Sequence, residues 1–236
     1  MNIISKLLAM VAILIAFMGN SQAQNFTTNL DWKSSYVLMD NAGLFHDEPV
    51  IQGDITATFQ NGIYASLWFS TSPESSWGND LGDEIDPSLG WSGDIGYGFK
   101  MNIALIYFYE PEANFPDIWY PKMVISHEFF GWDIGLKIGV YLPIDGSEGG
   151  WLVGPMANKT FKVTDKWSVP VTLKLIYDDG GFGNDSGVIP SISTGLNYKV
   201  SDGLSVSLSI AGCVPLWTDD ARKERFVLGL GTSLKF

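Results

Sequence analysis

From Phe26 onward, apolar and polar residues alternate in one run after another along the chain. Between Phe26 and Leu38 the even positions read Phe, Thr, Leu, Trp, Ser, Tyr and Leu, while the odd ones include Asp31, Lys33 and Ser35. A period of two puts successive side chains on opposite faces of a strand, so each such run predicts a strand greasy on one side and wet on the other. Ile51, Gly53, Ile55, Ala57 and Phe59 repeat the pattern up to Gln60-Asn61-Gly62, a tight-turn signal, and Ile63, Ala65, Leu67 and Phe69 return from it. Further runs carry Leu89 to Phe99, Ile103 to Tyr109, Ile118 to Phe130, Trp132 to Leu142, Trp151 to Lys162 and Trp167 to Tyr177. Three more close the chain, around Ile192 to Tyr198, Leu204 to Ile210 and Arg225 to Phe236. The expectation is about twelve strands, each with its connection taking about 18 residues, which suits a spanning strand of about 10 residues.

The connections alternate in length. Short ones are predicted at Asn61, Lys100, Gly131, Thr164 to Lys166 and Ser201 to Gly203, and long ones at Asp40 to Pro49, Thr71 to Asp83, Pro111 to Asp117, Pro143 to Gly150, Asp178 to Gly187 and Pro215 to Arg225. Five short turns and six long loops are what an antiparallel up-and-down barrel with both termini at its short-turn end requires. Greek-key sandwiches mix loop lengths at both ends. In the last run Phe226, Leu228, Leu230, Thr232, Leu234 and Phe236 share one face. A chain ending this way resembles the assembly signal of outer-membrane β-barrels, and closure then predicts antiparallel pairing of residues near Phe236 with residues near Phe26.

Composition sharpens the picture. Apolar residues make up 46% and charged residues 17%, with nine Trp. Trp132 and Trp167 follow short turns, whereas Trp119 and Trp151 follow long loops, as two interfacial girdles would require. Residues 1–23 read as a secretory signal: Lys6, the apolar Leu7 to Met18, then Ser21-Gln22-Ala23. Residues 24–236 then form one transmembrane β-barrel domain, placed in the bacterial outer membrane among phospholipid and lipopolysaccharide by the barrel assembly machinery. A net charge of −12 argues against nucleic acid as a partner. The single Cys213 excludes an intramolecular disulfide.

Chemistry-bearing residues fall into two groups. Inward positions include Asp31, Lys33, Asp54, Asp94, Asp133, Lys137, Lys174, Asn197 and Lys199, a lumen of both signs that either tunes an aqueous path or pairs across it and seals it. Asp83, Glu84, Asp86, Asp178, Asp179, Asp219 and Asp220 place carboxylates at the outer mouth, where they would favour cations. Cys213 is expected inward and inert. His46, beside Asp47 and Glu48, reads as a solvated loop residue, and His127 falls near the short-turn end of its strand. No Gly-x-Ser-x-Gly motif accompanies either, so no catalytic residue, metal or cofactor is expected.

Residues Ser34 to Val37, Pro49-Val50-Ile51-Gln52-Gly53 and Gly62 to Ser70 match Ser-x-Tyr-Val, Pro-x-x-Gln-Gly and Gly-x-Tyr-x-x-x-Trp-x-Ser. Over about residues 30–70 the chain resembles the TorF-like family of outer-membrane porins. The resemblance implies a barrel with pore activity. It departs where the family follows Tyr-Val-Phe with Arg-Gly, for this chain has Leu38-Met39-Asp40, so a role of that Arg does not carry over. The leading expectation is a passive channel for small, cation-leaning solutes. The alternatives are a non-conducting surface barrel with acidic binding loops, an outer-membrane lipid-modifying enzyme, and a secreted β-sandwich lectin.

Overall fold

The computed structural model describes residues 25–73, 82–109, 111, 116–181, 184–218 and 222–236. The expected signal segment, Asp219 and Asp220 lie outside the described residues. The alternating runs pair as consecutive hairpins into one closed antiparallel barrel of twelve strands. These are β1 (Asn25–Lys33), β4 (Val50–Thr58), β5 (Ile63–Thr71), β6 (Glu84–Gly96), β7 (Phe99–Phe108), β8 (Ile118–Phe129), β9 (Trp132–Pro143), β10 (Gly150–Lys162), β11 (Trp167–Asp179), β12 (Ser186–Lys199), β13 (Leu204–Cys213) and β14 (Arg225–Lys235). Two short strands, β2 (Tyr36–Leu38) and β3 (Gly43–His46), pair only with each other.

Closure is as the ends of the chain predict. Thr27 stands opposite Lys235, the Phe236 amide donates to the Phe26 carbonyl at 2.9 Å, and neither edge is left open. The alternation holds in three dimensions. Along β14, Phe226, Leu228 and Leu230 are exposed while Val227, Gly229 and Gly231 are buried. Exposed large apolar side chains recur around the wall, among them Leu30, Ile55, Leu105, Leu136, Leu173, Ile192 and Leu208. Water would charge about 25 cal/mol for each Å² of that belt, so hydrocarbon is the solvent such a surface fits. Trp119 and Trp151, each beside a Tyr, mark the long-loop end, and Trp167 beside Tyr198 the short-turn end.

Glycines on the inner face of β14 have a packing reason. A Cβ on Gly231 would lie 1.8 Å from the Asp31 carboxylate, and one on Gly229 2.9 Å from the Lys33 ammonium. The β1 side chains therefore lie across the bare backbone of the strand that closes the barrel.

Several strands extend or shift by a few residues from the expected runs, and two of the differences shape the lumen and its rim. The short turn predicted at Lys100 lies at Tyr97-Gly98, flanked by Gly96, with all three residues at positive φ, and Lys100 already belongs to β7. Local turn chemistry at Gly96 and Gly98 outweighs the alternation through Phe99. More consequentially, the first strand ends at Lys33 rather than Leu38. The Ser34 amide donates to the Leu228 carbonyl at 2.9 Å, and the Leu228 amide donates to the Ser34 hydroxyl at 3.0 Å. That exchange pins the chain to β14 as it bends through Ser34-Ser35.

Candidate functional site

After the bend the chain turns into the barrel. Residues 34–49, most of which read as a wall strand followed by an outer loop, place the β2 and β3 hairpin inside the lumen. Its composition shows why: Val37, Met39, Ala42, Leu44 and Phe45 are too apolar for a wet loop, and burying a large one is worth about 1.5–3 kcal/mol. Ala42 packs with Ile189 and Cys213, with Val37 and Met39 against the same cluster. Tyr36 meets Phe45 and Trp68 in tilted ring contacts at 5.1 and 5.7 Å, and its hydroxyl donates to the Glu84 carboxylate. The hairpin thus reaches from the β5 and β6 wall to the β12 and β13 wall.

At its tip, Asp40 is held by two lysines. The Lys137 ammonium donates to one carboxylate oxygen, and Lys174 donates to the other at 2.7 Å. Burial pushes the Asp40 carboxyl upward, but the two lysines outweigh it and hold the group well below the usual carboxylate range. Lys122 on β8 is within electrostatic reach of Lys137, Lys174, Asp40 and Asp86. Lys122 also lines a cavity of about 360 Å³ with Asp54, Thr56, Ser66, Asp86 and Ser88.

A second clamp secures the neighbouring residue. Arg222, from the last long connection, donates to the Asn41 carbonyl at 3.0 Å and the Asp178 carboxylate at 2.8 Å, and also to the Asp185 carbonyl. Arg222 and Asp178 side chains are 4% and 0% exposed. Across the lumen, Phe108, Ile118, Tyr120, Tyr141, Leu152 and Ile176 form an inward apolar cluster towards the long-loop end. Hairpin and cluster together fill much of that end, leaving the polar cavity beside the β4 to β8 wall.

The inward positions anticipated from sequence are only partly brought together. Lys137 and Lys174 meet at Asp40. Asp31 and Lys33 form a local pair at 3.7 Å, and Asp54 accepts from Asn29 at 2.8 Å and from the Thr56 hydroxyl at 3.3 Å. Asp94 stands exposed opposite Lys100, and Asp133 opposite Glu128, both near the short-turn end. Asn197 stands opposite Ser168 and Ser207, and Lys199, half exposed, pairs with Asp202 at 2.6 Å in a short turn.

The wet acidic mouth does not form as expected. Asp83, Glu84, Asp86 and Asp178 are 0%, 2%, 7% and 0% exposed, and only Asp179 of the described set faces solvent. Asp83 accepts from the Thr71 hydroxyl and the Ser72 amide. Asp83, Glu84 and Asp178 are engaged by hydroxyl, backbone and arginine donors because burying them otherwise would be costly. His46 lies on β3, and His127 packs edge-on to Phe99 near the short-turn end. Cys213 is buried beneath Ala42.

Sequence reading missed Asp40, Lys122 and Arg222. The usable signal was the apolar composition of a supposedly wet first loop.

The closed twelve-strand antiparallel barrel is similar in fold to solved outer-membrane porins. Among solved structures, the KdgM porin superposes with a TM-score of 0.59 at 10% identity, covering 90% of this chain and 99% of that one. The NanC porin does so at 0.57 and 9% identity, covering 89% and 100%. An outer-membrane channel from Pseudomonas putida F1 gives 0.54 at 12%, covering 92% and 98%. The chain matches no protein-family model and no curated sequence.

Proposed function

We propose that this chain is an outer-membrane passive channel for small anionic solutes, narrowed by its own first loop. The observation that carries the reading is the lysine cluster at the hairpin. Lys137 and Lys174 converge on the single carboxylate of Asp40 at the hairpin, and Lys122 lines the adjoining polar cavity, whose wall also carries Asp54 and Asp86. A low-dielectric wall strengthens such a field, so the fixed charge at the narrow point decides which ion enters. The cation preference expected from the acidic loops loses its support, because most of the described acids are buried and bonded rather than facing the entrance. The exposed apolar belt supports placement in a lipid bilayer, with lipid and lipopolysaccharide as neighbours. The resemblance of residues 30–70 to the TorF-like porins supports the pore reading.

The test is a planar bilayer holding the purified chain under a KCl gradient. Discrete conductance steps with a reversal potential displaced towards chloride are expected, and Lys122→Glu should displace it towards potassium. Verified insertion without steps would sink the channel. The filled long-loop end favours a second reading, a non-conducting surface barrel. Silence in both the parent chain and Asp40→Asn would select it.

A further inference from the structure

The two lysines that hold the hairpin form a site suited to a carboxylate from any source. Each donates to a different oxygen of Asp40, the charge-assisted geometry by which two ammonium groups recognise a carboxylate in general. Lys137 and Lys174 project from β9 and β11, the wall strands on either side of β10, whereas their present partner sits in a turn whose strands pair only with each other. Next to that turn residue but one, Ala42 adopts a φ of 59°, a left-handed conformation costing an L-residue about 1–2 kcal/mol. Backbone of that kind persists where surrounding contacts hold it, and relaxes when they are released.

We propose that the Lys137 and Lys174 pair is a binding site for the carboxylate of a small solute, and that Asp40 is its built-in competitor. A carboxylate reaching the cavity beside Lys122 exchanges with Asp40 and frees the hairpin. The exchange is charge for charge: each ammonium stops donating to an Asp40 oxygen and donates to one of the solute carboxylate instead, so no buried lysine is left bare. The solute must replace the hairpin's remaining anchors as well, namely the Ala42 packing, the Tyr36 bond to Glu84 and the Arg222 bond to Asn41. A tethered group acts at an effective concentration of the order of millimolar, so competition is expected at millimolar solute or above. This rests on reading the lumen as a solute path, but its test does not require conduction.

Cys213, the single cysteine, is 1% exposed and packs beneath Ala42, which makes it a native reporter of the hairpin. The reconstituted full chain is treated with a small water-soluble thiosulfonate, and the Cys213 labelling rate is followed against succinate. Sodium chloride at matched ionic strength and glucose serve as controls. Succinate should raise the rate about tenfold and saturably, whereas the controls should leave it unchanged. Asp40→Asn should label fast without succinate. Lys174→Gln, which leaves the Lys137 contact in place, should label faster at baseline and respond less to succinate.

Parent-chain labelling that is flat in succinate overturns the proposal, whether or not Asp40→Asn labels fast. An equal rise with chloride overturns it too, because the effect is then screening alone. If Asp40→Asn does not fold, the succinate dependence of the parent chain decides the matter by itself. Succinate-sensitive labelling together with silent bilayers would refute the channel and leave the exchange site standing.

Discussion

Replacing Asp40 by Asn keeps the side chain's size and removes the charge between Lys137 and Lys174. At an effective dielectric constant of about 20, a unit pair about 3 Å apart attracts by roughly 5–6 kcal/mol, most of which offsets desolvation. Removing one member of a buried pair costs about 3–5 kcal/mol, because the surviving charge stays buried without its partner. Asp40 and the two lysines are each less than a quarter exposed, so the lower end of that range is a fair value. A loss of about 3 kcal/mol multiplies the ratio of released to docked hairpin by about 150. Single-channel recording should therefore show higher conductance or a longer open time in Asp40→Asn. Identical conductance and open time in the variant, with insertion verified, would show that the carboxylate bridge does not set the aperture.

Further outcomes follow from the same contacts. The lysines depress the Asp40 carboxyl, so its contribution to docking is fully present above the released value of 3.8 and fades only as pH falls through the depressed one. Lys137, Lys174, Lys122, Tyr120, Tyr141 and Cys213 are the described titratable groups that interact with it. The difference in conductance between the parent chain and Asp40→Asn should therefore stay constant between about pH 5 and 8, and a difference that changes near neutrality would refute this assignment. Arg222→Ala strands the Asp178 carboxylate and should cost about 3–5 kcal/mol, read as a lower urea midpoint and faster proteolysis of the long connections. Gly231→Ala forces the Asp31 carboxylate aside and should cost about 1–3 kcal/mol in urea unfolding; Asp31→Ala in the same chain should recover most of that loss.

Alternation alone determined the barrel. Each strand of a membrane barrel meets lipid on one face and lumen on the other, so its sequence has to carry the period, and loop sorting and chain ends then fix strand number and closure. Leu228, Leu230 and Phe236 show their outward role without any partner being known. The sequence also placed Lys137 and Lys174 on the inner face, because a period of two settles which face a residue takes. What faces it from across a barrel is set by a fold that brings residues about a hundred positions apart together. Asp40 read as a loop residue at the end of a long alternating run, since Tyr36 and Leu38 keep the phase of Trp32. Only the Ser34 exchange with Leu228 turns that run inward, and both bonds of the exchange lie between residues 194 apart in the chain. The acidic residues show the reverse. Asp83, Glu84 and Asp178 read as a wet mouth because sequence carries their charge, while the tertiary structure decides their solvent by supplying Thr71, Tyr36 and Arg222 as donors.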